Sequence, residues 1–418
     1  MDKIALNNSI NEWHEVFKQT RDALVKRGAP SLPKKGLAAA ILGVRRGGKT
    51  FQAIEMSLEI PEDATLYYNF EDPIFYNEPD VANLDLLLAT AIEFRRSKIE
   101  LLIFDEIHNV DGWERWLRKL IDSKQYHIIV TGSSAKLLSR ELSTALSGRA
   151  LKYEVWPLSF LEFLAFTGRE LSSLNESRKH LREYITWGGF PEAVLTPDDN
   201  AKRKLLRQYL DDIVLKDVIS RNEIRSKRTL DRLVMFYLTN ISSCHSINSI
   251  RNAFEISADM VNGYTAALTD TYAVLEVERF DPNLKRQARA INKIYSIDTG
   301  LRKVGSRSIS DDLGKLLENL VYLELRRRSQ EVFYFSETKE VDFIITESYK
   351  PKRAIQVCAD LSLPQTRARE LEALDECMSS LGVSQGTVVT FDQTENFASA
   401  SGRKIKIVPF FKWVQESV

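Results

Sequence analysis

The stretch Leu37-Ala-Ala-Ala-Ile-Leu-Gly43-Val-Arg-Arg-Gly-Gly-Lys49-Thr50-Phe51-Gln-Ala-Ile-Glu-Met56 decides how this chain is read. An apolar run of strand length leads directly into G-x-x-x-x-G-K-T, and a helical stretch follows. Between a strand and a helix that pattern is a phosphate-binding loop. Gly43, Gly47 and Gly48 let the backbone turn tightly enough for its N–H groups to face an anion. Lys49 is placed to reach the β- and γ-phosphate oxygens and the Thr50 hydroxyl to ligate Mg²⁺. The helix that follows turns its positive N-terminus towards the same charge. Arg45, Arg46 and Phe51 complete the expected nucleotide-binding set.

Roughly 55 residues after Thr50, Leu101-Leu-Ile-Phe-Asp105-Glu106 is an apolar strand ending in two acids. Acids at a buried strand's carboxyl end are costly unless they serve an ion or a water. Asp105 is expected to hold Mg²⁺ and Glu106 to polarise the attacking water. Two adjacent acids favour ATP over GTP hydrolysis. A guanine-reading N-K-x-D is also missing, since Asn292-Lys293 continues Ile-Tyr. A third strand, Tyr126 to Gly132, ends at Ser133-Ser134, where a hydroxyl can sense the γ-phosphate; Ser133 is preferred over Ser134. Either serine also suits a helix cap before Ala135-Lys-Leu-Leu. Thr65 to Phe70 is a fourth strand of the same parallel sheet. Arg149, ahead of the strand Ala150–Val155, is the candidate arginine finger, in cis or from a neighbouring copy, with a surface salt bridge as the plain alternative. Arg45 and Arg46 are the other candidates for that role.

Composition narrows the class. Of 418 residues, 58 are Lys or Arg and 58 Asp or Glu, so the formal net charge is +0 and any nucleic-acid contact has to come from a local patch. The three cysteines, Cys244, Cys358 and Cys377, are too scattered for a disulfide framework or a zinc cage and read as buried, reduced thiols. The first residues, MDKIALNNSINEW, lack a basic region followed by an apolar core, and no apolar run approaches a membrane span, so a cytoplasmic protein without membrane contact is expected.

The segments GVRRGGKT, LLIFDEIHNVDGWERWLRKLID, IIVTGSSAKLLSRELSTALSGR and YEVWPLSFLEFL resemble those of prokaryotic AAA-family ATPases of the archaeal-ATPase type. In that family the P-loop domain is followed by a DUF4143-type region, which YITWGGFPEAVL, KIYSIDTGLR and LLENLVYLEL resemble. The resemblance implies an α/β fold with an AAA+-type parallel sheet in the order 5-1-4-3-2, a helical lid, and Mg²⁺-dependent ATP hydrolysis. It implies no particular substrate.

The expected domains are a P-loop core over 1–158, a helical lid over 159–227, a winged helix over 228–305 and a PD-(D/E)xK nuclease-like domain over 306–418. In the winged helix, Ser257 caps a recognition-type helix, and the strands Ala273–Phe280 and Ala290–Ile297 flank a basic hairpin. Arg279, Lys285, Arg286, Arg289 and Lys293 are its candidate DNA contacts; the alternative is a solvated turn on a domain used for protein packing. In the C-terminal domain Glu318, Asp342 and the residue at 356 would hold a metal, and a lysine at 358 would activate water. Here those positions are Gln356 and Cys358, and neither can do that work for a hard dication, so a vestigial, non-cutting site is expected. The expected function is an ATPase coupled to DNA binding or remodelling. An ATP-dependent nuclease and a nucleotide-switched protein scaffold are the alternatives.

Overall fold

A computed structural model describes residues 2–77, 80–95, 97–133, 146–219, 224–306, 312–398 and 402–416. The chain divides into two units, Met1–Trp156 and Pro157–Val418.

The first unit is built on a parallel sheet. Its strands are β1 (Ala38–Leu42), β2 (Thr65–Asn69), β3 (Leu101–Asp105), β4 (His127–Gly132) and β5 (Ala150–Glu154). They lie in the order β2-β3-β4-β1-β5, every pair parallel, which is the expected 5-1-4-3-2 read from the other edge. Strand alternation sorts the core. Ala38, Ala40, Leu42, Leu102, Phe104, Ile128 and Val130 pack with Leu84, Leu87, Trp113 and Trp116 on one face. Ala39, Ile41, Leu101, Ile103 and Ile129 pack with Ala53, Ile54 and Met56 on the other. Each large apolar side chain so buried contributes ~1.5–3 kcal/mol.

Sequence reading missed the helix α1 (Lys3–Asp22), whose Asp2 cap accepts from the Ala5 N–H. The signal was present: Leu6, Ile10 and Phe17 recur at helical spacing and are buried. Ser9 Oγ and Trp13 Nε1 each donate to Asp72 Oδ2 at 2.7 Å, anchoring this helix beside the end of β2.

The second unit begins with the helices Phe160–Phe166, Leu174–Trp187 and Asp199–Asp212. The last of these passes at Ile213–Ile219 into a π-helical turn. Next come the helix Lys227–Thr239, β6 (Ser243–Cys244), the helices Ile247–Phe254 and Ala258–Asp270, β7 (Val274–Val277) and β8 (Lys293–Ser296). These strands form an antiparallel sheet in the order β6-β8-β7. The strands around the expected basic hairpin are shorter than read from sequence, and their connection holds a short helix, Leu284–Gln287, capped by Asn283. Cys244 is exposed, contrary to expectation; Cys358 and Cys377 are buried.

The motifs Gly188-Gly189 and Asp298-Thr-Gly300 meet. Asp298 accepts from the Gly189 N–H at 2.7 Å and the Gly300 N–H at 2.8 Å. A Cβ at Gly188 would collide with the Asp298 carboxylate, and one at Gly189 with the Leu158 carbonyl. Backbone and carboxylate approach too closely there for any side chain.

A mixed sheet closes the unit: β9 (Glu331–Ser336), β10 (Glu340–Glu347), β11 (Lys350–Val357), β12 (Gln385–Thr390), β13 (Glu395–Ala398) and β14 (Lys404–Pro409). Its order is β13-β14-β12-β11-β10-β9, with β11, β12 and β14 mutually parallel. The helix Pro364–Leu381 makes the crossover between β11 and β12, and the helix Leu313–Arg327 buries every residue from Leu316 to Leu325.

Candidate nucleotide site

The loop after β1 leaves the sheet at Gly43, where φ is 149° and a Cβ would strike the Val155 carbonyl. Arg46 (φ 65°) and Gly48 (φ 104°) take left-handed conformations, and the helix α2 (Lys49–Met56) starts immediately after. Arg27 braces the loop from outside, donating to the carbonyls of Gly47 at 3.2 Å and Trp156 at 3.0 Å. Arg45 pairs with Glu71 at 2.6 Å. Phe51 is 47% exposed on α2.

The two acids close β3 beside this loop. Thr50 Oγ1 donates to Asp105 Oδ2 at 2.8 Å, and the Lys49 ammonium lies 3.2 Å from Glu106 Oε1 and 3.3 Å from the Val44 carbonyl. Three partners of these acids escaped sequence reading. Tyr67 Oη donates to Asp105 Oδ2 at 3.0 Å, and the Thr131 hydroxyl donates to Asp105 Oδ1 while accepting from the Glu106 N–H at 3.0 Å. His108 Nδ1 lies 3.4 Å from Glu106 Oε2. A threonine at a strand's carboxyl tip and a histidine two residues past an acid were the available signals. Thr131 holds Glu106 in a left-handed conformation (φ 52°), which a non-glycine residue adopts only when its surroundings impose it. Burial first, and then the Glu106 charge, raise the Asp105 carboxyl above its usual range; the hydroxyls of Thr131 and Thr50 and the Lys49 charge oppose that. Thr50 and Asp105 thus offer adjacent hard oxygen donors, which fits Mg²⁺.

Ser133 is buried where β4 ends, at the same carboxyl edge of the sheet. Ser134 lies outside the described residues. Arg149 is elsewhere. Its carbonyl accepts from the Ala38 N–H, so it sits at the amino edge of β5, and its guanidinium pairs with Asp122 at 2.7 Å. The five-residue length of β1 separates it from the loop of its own chain, ~16 Å at strand rise. Arg149 therefore stands apart from the loop of its own chain, whereas Arg45 and Arg46 lie within it.

Residues 35–164 match the AAA domain family, and residues 178–307 match a domain of unknown function, DUF8612. The chain is 35% identical to uncharacterized protein MJ1544 of Methanocaldococcus jannaschii, covering 89% of this chain and 87% of that one. An uncharacterized protein of Haemophilus influenzae is 30% identical, over 73% of this chain and 78% of its own. The chain belongs to the same family as MJ1544, and its residues 35–164 are an AAA-type ATPase domain. The region after the core of this AAA ATPase matches DUF8612, not the DUF4143 type expected from sequence. Among solved structures the ATPase is similar to Cdc6p from Pyrobaculum aerophilum, at 16% identity over 75% of this chain and 95% of that one, with a TM-score of 0.26. No helix among the described residues is long and apolar enough to cross a membrane.

The ATPase has a second acidic constellation in its C-terminal unit. Glu318 on the helix Leu313–Arg327 and Asp342 on β10 converge, with Gln356 of β11 beside them. Gln356 does not face outwards as a metal ligand: its Oε1 accepts from the Asp342 N–H at 3.2 Å and its Nε2 donates to Glu370 at 2.6 Å. Asp342 Oδ2 accepts from the Val357 N–H at 2.9 Å. Between the acids lies Lys293, the correction to the sequence reading. Expected on a DNA-facing hairpin, it is 2% exposed and reaches Glu340 at 2.6 Å, Glu318 at 3.1 Å and Asp342 at 3.2 Å. Burial works against its charge, but the three carboxylates hold the ammonium well above its usual pKa. Burial raises both Glu318 and Asp342. The hydroxyl of Tyr295 donates to Glu318 at 2.7 Å.

The other candidate DNA contacts are spread over the short helix and its flanks. Lys285, Arg286 and Arg289 are exposed. Arg279 is half-buried, and both it and Arg286 pair with Asp281, at 3.0 and 3.2 Å. The recognition-type helix Ala258–Asp270 carries no Lys or Arg.

Proposed function

We propose that this ATPase uses ATP binding and hydrolysis at Gly43–Thr50 to drive a switch that contacts DNA through residues 279–289. Its residues 228–305 form a winged helix, and its C-terminal domain is nuclease-like in form and does not cut. The observation that carries the reading is the meeting of Lys49 with Glu106 at 3.2 Å and of Thr50 with Asp105 at 2.8 Å. Thr50 and Asp105 would hold Mg²⁺, which would supply charge neutralisation at the phosphates. Phosphate oxygens compete with Glu106 for the Lys49 ammonium. Once Lys49 turns to them, Glu106 is released to polarise a water, whose oxygen bonds to the γ-phosphorus as the bond to the departing ADP oxygen breaks. Ser133 senses the γ-phosphate from the end of β4. Arg149 acts on the site of a neighbouring copy, which makes turnover per subunit rise with protein concentration.

The element order helix, β6, helix, helix, β7, β8 supports the winged-helix reading, and exposed Lys285, Arg286 and Arg289 support a phosphate contact. Gln356 and Cys358 argue against the nuclease alternative, which requires Mg²⁺- or Mn²⁺-dependent cutting that Asp342→Ala removes. The recognition-type helix, which carries Asp259 and Asp270 but no Lys or Arg, favours a second reading, a nucleotide-switched scaffold for protein partners. ATP turnover measured with duplex, single-stranded and four-way-junction DNA separates the two, together with gel shifts across salt concentrations. Stimulated turnover and a steep salt slope support DNA contact; their absence leaves the scaffold.

A further inference from the structure

We propose that Lys293 is a tethered cation that fills the place of a divalent metal in the C-terminal domain, so that this cluster of acids is closed to metal ions. The inference rests on the nuclease-like reading above for the expectation that an ion would sit there at all. Three observations carry it. An ammonium has three N–H donors and no acceptor, and three carboxylate oxygens surround this one, at 2.6, 3.1 and 3.2 Å, so every donor faces an acid. These are hydrogen-bond lengths; Mg²⁺ needs oxygens near ~2.0–2.1 Å, and no such ion fits while the ammonium is in place. Two neighbouring groups are also engaged inside the protein: Asp342 Oδ2 by the Val357 N–H and Gln356 by Asp342 and Glu370.

The source of the lysine gives the contact a second consequence. Lys293 belongs to β8 of the three-stranded sheet, whereas its partners lie on β10 and on the helix Leu313–Arg327. The acids of β10 and of that helix are therefore neutralised from the other sheet, and the two sheets are stapled by charge instead of by a dissociable ion. Loss of Mg²⁺ then leaves this junction intact.

Mn²⁺ binding to the full chain, read from the loss of the free-ion electron paramagnetic resonance signal, tests this without nucleotide present. Wild type and Asp342→Asn are expected to bind the same number of ions. Lys293→Met is expected to bind one more, the extra ion disappearing in Lys293→Met/Asp342→Asn, and Mn²⁺ is expected to raise the melting temperature of Lys293→Met but not of wild type. Lys293→Met/Glu340→Gln removes the partly exposed acid as well, keeps Glu318 and Asp342, and carries the same expectation where Lys293→Met alone does not fold. An ion bound by wild type and lost in Asp342→Asn overturns the inference while leaving the nuclease-like reading in place. Folded Lys293 variants that gain no ion overturn the inference as well.

Discussion

Lys49 and Lys293 are each buried beside carboxylates, and the backbone around them differs. Lys49, 5% exposed, meets Glu106 at 3.2 Å and a carbonyl, at the start of a helix that follows a glycine loop. An incoming phosphate offers it a stronger partner and finds backbone N–H groups and a helix N-terminus already aligned. Lys293, 2% exposed, has three acids and stands on a strand between packed elements. Nothing of comparable charge replaces those acids without taking the sheets apart. The same ion-pair chemistry therefore makes an exchangeable latch where the loop is open and a permanent staple where the chain is closed. Side-chain identity alone does not distinguish the two.

That contrast can be broken in order of effect. Lys49→Ala is expected to lower ATP turnover by at least ~100-fold, since it removes the charge that takes the phosphates, with little change in the unfolding midpoint; normal hydrolysis would falsify the site assignment. Lys293→Met is expected to do the reverse, destabilising the chain by ~3–5 kcal/mol because it leaves buried carboxylates without a counter-charge. Urea unfolding of this variant beside Lys293→Met/Asp342→Asn checks the cause: the second change should recover part of the loss. Asp298 extends the comparison to an acid held by backbone, accepting from Gly189, Gly300 and Leu301 at 2.7, 2.8 and 3.3 Å. Asp298→Ala should cost ~2–3 kcal/mol in the same assay, from N–H groups left unpaired. Arg149, paired with Asp122 on the surface, is the exposed counterpart. Arg149→Ala should change stability by less than ~1 kcal/mol, and its effect on turnover should grow with protein concentration.

The nucleotide site was legible because its signals are local. Gly43–Thr50 carries its own glycines, lysine and threonine within one loop, and the strand Leu101–Phe104 announces the acids that follow it. The sheet order followed from the family resemblance of those segments. The helix Lys3–Asp22 was legible in principle, in the spacing of Leu6, Ile10 and Phe17, but no motif drew attention to it. Thr131 and Tyr67 could not be assigned to Asp105, because only strand register brings them there: β3 lies between β2 and β4. Lys293 was misread for a deeper reason. A sequence displays charge but not burial, and its partners Glu318 and Asp342 lie 25 and 49 residues away on other elements. Beside Arg286 and Arg289 it resembled one more cation on a solvated turn.

The central claim is tested most directly at Glu106, the acid that Lys49 holds at 3.2 Å. ATP binding and ATP turnover should be measured side by side for wild type and Glu106→Gln in Mg²⁺. The account predicts that the variant binds ATP at least as tightly as wild type, since Lys49 no longer has an anionic competitor, while turnover falls by ~100-fold or more. Unchanged turnover in the variant, or loss of ATP binding with it, would contradict the account.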